Sequence, residues 1–284
     1  MSKTNSTSKE GKRMPIAITL MLESETEAVL PRDLGRANYA AALRAIARID
    51  ENLAAQIHDG DGPKPITCSL LWGARRTREG MPVRPGETYF VRITGLTPEV
   101  EEALDLALLH NPPKTWELDR HVFRVVRTTD NPEEDPTGWA GRQSYAEMVQ
   151  TYLQGRSALR KRITLEFASP TAFRSQEKQI TLPMPGLVFG SLVERWNAFA
   201  PIALSADMRR FAQECIAVSR YRLQSRPVDQ KNKALRIGAV GEATYIALRN
   251  DVYWVSVFNL LADFARFGGV GVQTTTGMGQ VRTR

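Results

Sequence analysis

Apolar residues in the first 130 positions form short runs that alternate with helical periodicity. Residues 16–22 (IAITLML) are almost continuously apolar, as in a buried strand. Between Leu43 and Ile57, apolar residues recur every three or four positions, which predicts one helix that stops at Asp59 and Gly60. The remaining elements are predicted as strands 65–72 and 88–94, a helix over 98–109 and a strand over 121–127. This βαββαβ order is the ferredoxin-like pattern, which readers of single-stranded RNA often use.

The second half of the chain repeats this order of elements less regularly. After a short helix over 144–153, the pattern predicts strand 162–167, helix 190–199, strands within 215–223 and 235–247, helix 253–266 and strand 279–284. We therefore expect an α+β protein of two tandem ferredoxin-like domains. Its predicted parts are a disordered N-terminus over 1–13, an N-terminal domain over 14–130, a linker rich in Pro, Gly and acid over 131–142, and a C-terminal domain over 143–284 that contains a glycine-rich loop at 268–280.

The charge balance points to an anionic partner. The 284 residues include 38 Lys and Arg against 31 Asp and Glu, which gives a formal charge of +7. Basic residues gather in 156–162 and 209–236, and acidic residues gather in 98–105 and 130–135. This separation favours nucleic acid as the partner. No apolar stretch approaches the roughly 20 residues of a membrane span and the first 13 residues are polar, so we expect a cytoplasmic protein with no membrane contact.

Cysteine and histidine are too sparse to indicate a metal centre. Cys68 and Cys215 lie far apart in segments that are typical of apolar strands, which favours buried free thiols over a disulfide. The three histidines have no clustered ligand spacing. We therefore expect neither a metal nor a cofactor.

The segment 266–284 (RFGGVGVQTTTGMGQVRTR) has the composition of an anion-binding loop. It contains five glycines, four threonines and three arginines, and it contains no carboxylate side chain. Glycines let a backbone approach a ligand closely, and free N–H groups, hydroxyls and guanidinium groups complement phosphate. The segment therefore predicts contact with a phosphate-bearing ligand.

Three segments resemble one known family, the CRISPR-associated endoribonucleases of the RAMP superfamily that process precursor CRISPR RNA. The tail GGVGVQTTTGMGQVR is similar to the family's C-terminal glycine-rich loop, and ITLEFASPTAFR at 163–174 is similar to the strand and turn that open its second half. LAAQIHDGDGPKPITCSLLWG at 53–73 resembles its N-terminal segment with a histidine, a following lysine and a Thr-x-Ser strand. The three segments occur in the family's order and span both halves of the chain.

The resemblance implies two tandem ferredoxin-like domains and metal-independent cleavage of CRISPR repeat RNA. In that reaction the RNA's own 2′-hydroxyl attacks the adjacent phosphorus and leaves 5′-hydroxyl and 2′,3′-cyclic phosphate ends. Such chemistry needs a base, an acid and cations for the developing phosphorane charge. The implied partners are precursor CRISPR RNA, a CRISPR interference complex and a second copy of the chain in a homodimer.

The resemblance also indicates the catalytic residues. It implies that His58 is a general base or acid and that Lys64 assists at the scissile phosphate; the alternatives are a histidine that caps a helix and a solvated loop lysine. Some relatives have a tyrosine in the first helix as a third member, but here that position is Leu43. Tyr39 and Arg44 are therefore the candidates for the third role.

The RNA-binding candidates lie mostly in the tail. For the glycines, the alternative to RNA contact is a tight structural turn, and for the Ser-Pro-Thr segment it is a strand-ending turn. The predicted RNA-binding residues are Gly268, Gly269, Gly271, Gln273, Thr274, Thr275, Gly277, Gly279, Arg174, Ser169 and Thr171. Further candidate phosphate contacts are Arg156, Arg160, Lys161, Arg162, Arg220, Arg222 and Arg226, each of which is otherwise a solvated charge.

Two other functions compete with the ribonuclease. A RAMP relative without cleavage activity would only hold RNA, as a subunit of a CRISPR ribonucleoprotein complex. An enzyme that uses the glycine loop for a nucleoside triphosphate would need a G-x-x-x-x-G-K-[ST] pattern, which the chain lacks. His110 and His121 are expected to have surface and structural roles, respectively.

Overall fold

The computed structural model describes residues 14–155, 157–229 and 235–284. The N-terminus predicted as disordered, residues 1–13, lies outside the described residues. No helix in the described part of the chain is both long and apolar enough to cross a membrane.

The first half forms a six-stranded antiparallel sheet with helices packed on one face. Its elements are β1 (Ile16–Ser24), β2 (Ala28–Leu30), α1 (Gly35–Ala47), α2 (Glu51–Asp59), β3 (Ile66–Cys68), β4 (Met81–Val83), β5 (Thr88–Gly95), α3 (Pro98–Leu104) with a π-helical turn (Asp105–His110), β6 (Thr115–Leu118), β7 (His121–Thr129) and β8 (Gly141–Arg142). The strand order is β3-β5-β1-β7-β6, and β8 also pairs with β1. The four strands β3, β5, β1 and β7 have the antiparallel order of a ferredoxin-like domain.

The first helical pattern is divided into two helices. Asp50 adopts an extended conformation, and its side chain accepts a hydrogen bond from the Leu53 N–H, which caps the start of α2. The prediction of one helix through Ile57 was therefore wrong at Asp50, because an N-cap side chain outweighed the apolar periodicity. The predicted stop was correct, since Gly60 is the C-cap of α2.

The second half builds the same architecture with a longer pair of strands. Its elements are α4 (Tyr145–Tyr152), β9 (Arg162–Thr171), β10 (Phe173–Ser175), β11 (Lys178–Ile180), α5 (Pro185–Phe199), α6 (Met208–Cys215), β12 (Ile216–Asp229), β13 (Leu235–Ala247), α7 (Val252–Gly268), a 3-10 turn (Thr274–Thr276) and β14 (Val281–Thr283). The strand order β12-β13-β9-β14 is again ferredoxin-like. The predicted fold of two tandem ferredoxin-like domains is thus confirmed. Cys68 and Cys215 are buried free thiols, although Cys215 ends α6, a helix that the pattern did not predict.

The face of the first sheet that points away from its own helices is covered by the second half of the chain. The Thr94 hydroxyl donates to the carbonyl of Phe267 at 3.0 Å, and the Tyr145 hydroxyl donates to the carbonyl of Leu96 at 2.9 Å. Arg92, on the same face, is 1% exposed. This face is therefore a domain interface, and the use of an open sheet face by single-stranded RNA readers does not apply to the first domain.

The segment predicted as a linker, 131–142, is packed between the sheets around the buried carboxylate of Asp135. This carboxylate accepts hydrogen bonds from the Thr19 hydroxyl at 3.0 Å and from the backbone N–H groups of Thr137, Trp139 and Ala140 at 2.9, 2.8 and 2.7 Å. Burial alone would raise the pKa of Asp135, but these hydrogen bonds outweigh it and hold the pKa below its ordinary value. Asp135 therefore contributes most to stability while it is ionised.

Replacing Asp135 should make the protein less stable in a way that depends on pH. At pH 7, Asp135→Asn should lower the free energy of unfolding by about 1–3 kcal/mol, because buried donors lose their acceptor. The pKa of Asp135 in the folded protein lies below its value of about 3.9 in the unfolded chain. The extra stability of the wild type is therefore fully present above about pH 3.9, and it shrinks as the pH falls through the pKa of the folded state. Chemical denaturation at several pH values measures this difference. Asp119→Asn, in an exposed turn, is the control and should match the wild type throughout.

Candidate active site and glycine-rich loop

His58 lies exposed in the last turn of α2. The Asp50 cap fixes the start of this helix, and Ala54 and Ile57 bury its other face against the first core. Because His58 directly follows the buried Ile57, its side chain lies on the solvent side. The arrangement leaves an imidazole accessible to a large ligand.

Lys64 folds back onto the end of the same helix. Its ammonium group donates to the backbone carbonyl of His58 at 3.1 Å and also to the carbonyl of Gly60. A cation at a helix C-terminus satisfies carbonyls that have no partner within the helix. Lys64 is thus neither a freely solvated lysine nor remote from His58: it holds a positive charge beside the histidine.

The two candidates for the third catalytic role lie in different places. The Tyr39 hydroxyl points to the carbonyl of Ile57 at 3.4 Å, so it reaches the same end of α2. Burial, with a smaller effect from Cys68, raises the pKa of Tyr39. Arg44 instead donates to the carbonyl of Glu117 at 3.4 Å, on β6, the sheet edge opposite to β3. The structure therefore groups Tyr39, His58 and Lys64, and it separates Arg44 from them.

The glycine-rich loop is shaped by close backbone packing. Gly269, Gly271, Gly277 and Gly279 have φ values of +66°, +78°, +99° and +69°, which favour glycine. A Cβ on Gly271 would lie 2.2 Å from the Ala172 carbonyl oxygen, and one on Gly279 would lie 2.1 Å from that of Val270. The tight-turn alternative therefore accounts for these glycines, whether or not the loop also contacts RNA.

The loop is anchored to the first domain as well as to its own. Gly277 pairs with Ser69 in a short parallel bridge, and a Cβ on Gly277 would lie 2.4 Å from Leu70 Cδ2. The Gln280 side chain donates to the carbonyl of Cys68 at 3.3 Å and accepts from Arg92 at 2.9 Å. The loop thus closes the junction between the two domains.

Burial divides the predicted RNA-binding residues. The Ser169 hydroxyl accepts from the Gln280 N–H at 2.9 Å and the Thr171 hydroxyl donates to the Ser169 carbonyl at 3.0 Å, and both side chains are at most 1% exposed. The prediction that these two side chains face RNA was wrong, because internal hydrogen bonds use them. Gly268, Gly269, Thr274, Gly277 and Gly279 are also buried. The accessible members of the predicted set are Gly271, Gln273, Thr275 and Arg174.

The other two histidines have local partners. His121 Nε2 lies 2.8 Å from the Ser24 hydroxyl and its ring packs on Phe123; burial lowers the pKa of His121. His110 lies exposed, 2.8 Å from an Asp105 carboxylate oxygen. These contacts agree with the structural and surface roles predicted for them.

Of the predicted phosphate contacts, Arg156 lies outside the described residues, and Arg160 pairs with Asp263 at 2.9 Å.

Arg92 is the important residue that the sequence did not single out. It occurs within the otherwise apolar and threonine-containing strand TYFVRIT, and a charge in such a strand was the available signal. Its guanidinium donates to the carbonyl of Trp139 at 3.2 Å, to Gln280 and to the carbonyl of Arg266. It therefore connects the first sheet to the segment 131–142, to the end of α7 and to the last residue of the glycine-rich loop.

Comparisons with known proteins agree with this architecture. A sequence model of the family described as CRISPR-associated endoribonuclease Cas6 matches residues 165–281. The CRISPR-associated endoribonuclease Cas6 of Mycobacterium tuberculosis (strain CDC 1551 / Oshkosh) is 29% identical over 127 residues, which are 44% of this chain and 39% of that protein. The match thus spans less than half the length of this curated relative.

Solved structures match over nearly the whole chain. A Cas6 product complex has a TM-score of 0.78 and 26% identity, covering 96% of this chain and 100% of that chain. Thermus thermophilus Cas6 has a TM-score of 0.72 and 25% identity, covering 95% and 98%. A Cas6-related structure from Pyrococcus furiosus, with a TM-score of 0.61 and 12% identity over 95% and 98%, shares the fold.

The structure thus defines a protein of two tandem ferredoxin-like domains, closed by a glycine-rich loop before the last strand. In sequence over 165–281 and in fold over nearly the whole chain, it is similar to the CRISPR-associated Cas6 family.

A methyl group placed where α1 contacts the glycine-rich loop should push the two apart. Gly35 begins α1, and a Cβ there would lie 2.0 Å from the Thr276 carbonyl oxygen. Gly35→Ala should therefore lower the free energy of unfolding by about 1–3 kcal/mol, the usual cost of overpacking. In the control, Gly186→Ala in the first turn of α5, the Cβ has its nearest neighbour, Gln213 Cβ, at 3.2 Å. The control should stay within about 1 kcal/mol of the wild type. Equal denaturation midpoints for both variants would mean that the loop is not anchored at this helix.

Proposed function

We propose that this protein is a metal-independent endoribonuclease that binds CRISPR repeat RNA and cleaves precursor CRISPR RNA to produce guide RNAs. The observation that carries the proposal is the exposed side chain of His58 at the end of α2, where the Lys64 ammonium bonds to the backbone carbonyl of the same histidine. Similarity to the CRISPR-associated endoribonuclease Cas6 family supports the substrate class. Metal independence rests on the resemblance of the His58 and Lys64 segment to that of the family.

His58 provides the proton transfer in the proposed reaction. The 2′-oxygen forms a bond to phosphorus and loses its proton, while the bond from phosphorus to the 5′-oxygen breaks and that oxygen gains a proton. An imidazole can accept or donate a proton, so His58 can serve as the base for the first oxygen or the acid for the second. The products are a 2′,3′-cyclic phosphate and a 5′-hydroxyl.

Lys64 provides positive charge in the same place. The pentavalent phosphorane gains negative charge, and a fixed cation stabilises it without reorganising during the reaction. The carbonyls of His58 and Gly60 hold the Lys64 ammonium at the helix end, and an ammonium has three protons to donate. Of the two candidates for the third role, Tyr39 is preferred over Arg44, because its hydroxyl approaches the same helix end.

The accessible part of the glycine-rich loop holds the RNA backbone in this proposal. Gly271, Gln273 and Thr275 are the partly exposed residues of the predicted loop set. Arg174, three residues after the Ser-Pro-Thr segment, has an exposed guanidinium. Such contacts position a strand and do not read its sequence. Solved Cas6 relatives include a product complex and a substrate mimic complex, which supports RNA as the ligand. Delivery of the RNA to a CRISPR interference complex, a homodimer and a cytoplasmic location stay predictions.

Cleavage should survive removal of metal ions. Wild-type protein is incubated with repeat-containing RNA in excess chelator, and the fragments are tested for 2′,3′-cyclic phosphate and 5′-hydroxyl ends. Cleavage with those ends is expected, since the nucleophile is supplied by the RNA itself. Tight binding without any cut would instead support the non-catalytic RNA-binding subunit.

His58→Ala should remove most of the activity and leave binding intact. Loss of a general acid or base costs about a hundredfold or more, so the single-turnover cleavage rate should fall by at least that factor. His58 is exposed, so the RNA dissociation constant and the melting temperature should stay near the wild-type values. His110→Ala, at another exposed histidine, is the matched control and should cleave normally. An unchanged rate in His58→Ala would refute the assignment.

A further inference from the structure

A cavity of about 330 Å³ opens at the junction of the two domains, away from His58. Ligand sites for small molecules begin at about 300 Å³, so the cavity has room for a single nucleotide. Both domains contribute to its walls. The lining residues are Leu70, Leu71, Trp72, Gly73, Ala74, Arg76, Ala168 and Arg226.

Trp72 gives the cavity a fixed aromatic surface. Its backbone N–H donates to the carbonyl of Phe90 at 2.8 Å and its carbonyl accepts from the Phe90 N–H at 3.0 Å, so the chain is held against β5. The indole packs on Trp139, with ring centroids 5.6 Å apart and planes inclined at 41°. Trp72 is nevertheless only partly buried. It is therefore a rigid aromatic side chain with accessible surface in the cavity.

Two guanidinium groups from opposite domains line the same cavity. Arg76 is held by Asp33 at 2.9 Å, with the side chain 21% exposed. Arg226, on β12, is exposed, and within residues 14–155, 157–229 and 235–284 no ion pair involves it. Burial is the main cause that lowers the pKa of Arg76, and the positive charge of Arg226 lowers it further, whereas Asp33 raises it. The effect of Arg226 agrees with its position beside Arg76 in the wall of the cavity. An arginine without a carboxylate partner at a cavity mouth attracts an anion.

The cavity and the helix end that carries His58 lie at different points along one sheet edge. Ile66, two residues after Lys64, pairs with Gly95, whereas Trp72 pairs with Phe90. Gly95 and Phe90 are five steps apart in β5, or about 17 Å at the rise of a strand. A nucleotide in the cavity is therefore not the one that is cut at His58.

We propose that this cavity binds one unpaired nucleotide of the RNA, with its base against the Trp72 indole and its phosphate at Arg76 and Arg226. The inference rests on the proposed function and adds a second contact to it. An aromatic face stacks on any base, and a nearby guanidinium binds the flanking phosphate. Because the walls come from both domains, the site exists only when the domains are docked.

Binding of a labelled oligouridylate tests the site without cleavage or a repeat sequence. An oligomer of about eight nucleotides matches the site sizes of single-strand binders. Its dissociation constant is measured by fluorescence anisotropy at several salt concentrations for wild type, Trp72→Leu, Trp72→Phe, Arg226→Gln and the control Arg210→Gln, at an exposed arginine of α6. Melting temperatures are recorded for each variant.

The proposal gives a distinct result for each variant. Trp72→Leu should weaken binding roughly tenfold, and Trp72→Phe should weaken it much less, because phenylalanine retains a stacking face. Arg226→Gln should weaken binding and reduce the salt slope by about one, and Arg210→Gln should change neither. Wild-type affinity in Trp72→Leu, or equal losses in both Trp72 variants, would overturn the proposal.

Crosslinking keeps the proposal testable if Trp72→Leu does not fold. Wild-type protein is irradiated with an oligomer that contains 4-thiouridine, and the crosslinked peptides are identified by mass spectrometry. Crosslinks at residues 70–76 or at Arg226 are expected, and crosslinks only elsewhere would refute the site. His58→Ala should bind the oligomer like the wild type, so a failure of the proposed catalysis is distinguishable from a failure of this site.

Discussion

The arrangement of the two domains depends on one buried guanidinium. Arg92 is 1% exposed, and burial first, followed by the charge of Arg266, lowers its pKa well below the ordinary value. A buried cation is tolerated only when its donors are satisfied, and those of Arg92 bond to Trp139, Gln280 and the carbonyl of Arg266. The Trp139 ring adds a cation–π contact with the Arg92 carbon Cζ at 5.2 Å from its centroid. These acceptors come from segments that are distant in sequence, so the charge can be buried only in the docked arrangement.

That constraint explains why the glycine-rich loop is compact. The loop supplies Gln280 to Arg92 and pairs Gly277 with Ser69, and both contacts require its backbone to lie close against the first domain. Glycine provides this closeness where a Cβ would overlap a carbonyl or Leu70. A segment with the composition of an anion-binding loop therefore has most of its residues committed to joining the two domains, and only a small part of it is accessible.

The sequence predicted the fold better than it predicted exposure. Apolar periodicity and the order of elements indicated both ferredoxin-like domains, because the spacing of apolar residues identifies the buried face of a strand or helix within a few residues. It could not indicate that Ser169 and Thr171 are buried, since a Ser-Pro-Thr segment looks like a surface turn until Gln280, far along the chain, is placed against it. The split of the first helix depended on a single capping bond at Asp50.

The grouping of residues at the candidate site could likewise be predicted only in part from the sequence. His58 and Lys64 are six residues apart, so local structure suffices to bring them together, and their spacing carried the resemblance to the family. Tyr39 and Arg44 lie on one helix, and only the tertiary fold shows that they approach different edges of the sheet. Trp72, Arg76 and Arg226 form a cavity from two domains, an association for which the sequence contains no local pattern.

The contact of the glycine-rich loop with the first domain has a consequence for folding during synthesis. Gln280 contacts Cys68 across 212 residues of sequence, so β3 gains this neighbour only after residue 280 has been synthesised. Until then a nascent chain carries Arg92 and the polar face of its first sheet without their cover. Contacts of such long sequence separation form late, because closing a long loop costs chain entropy before the contact stabilises the structure. Truncated products that end before Gln280 would lack this contact and would leave that face uncovered.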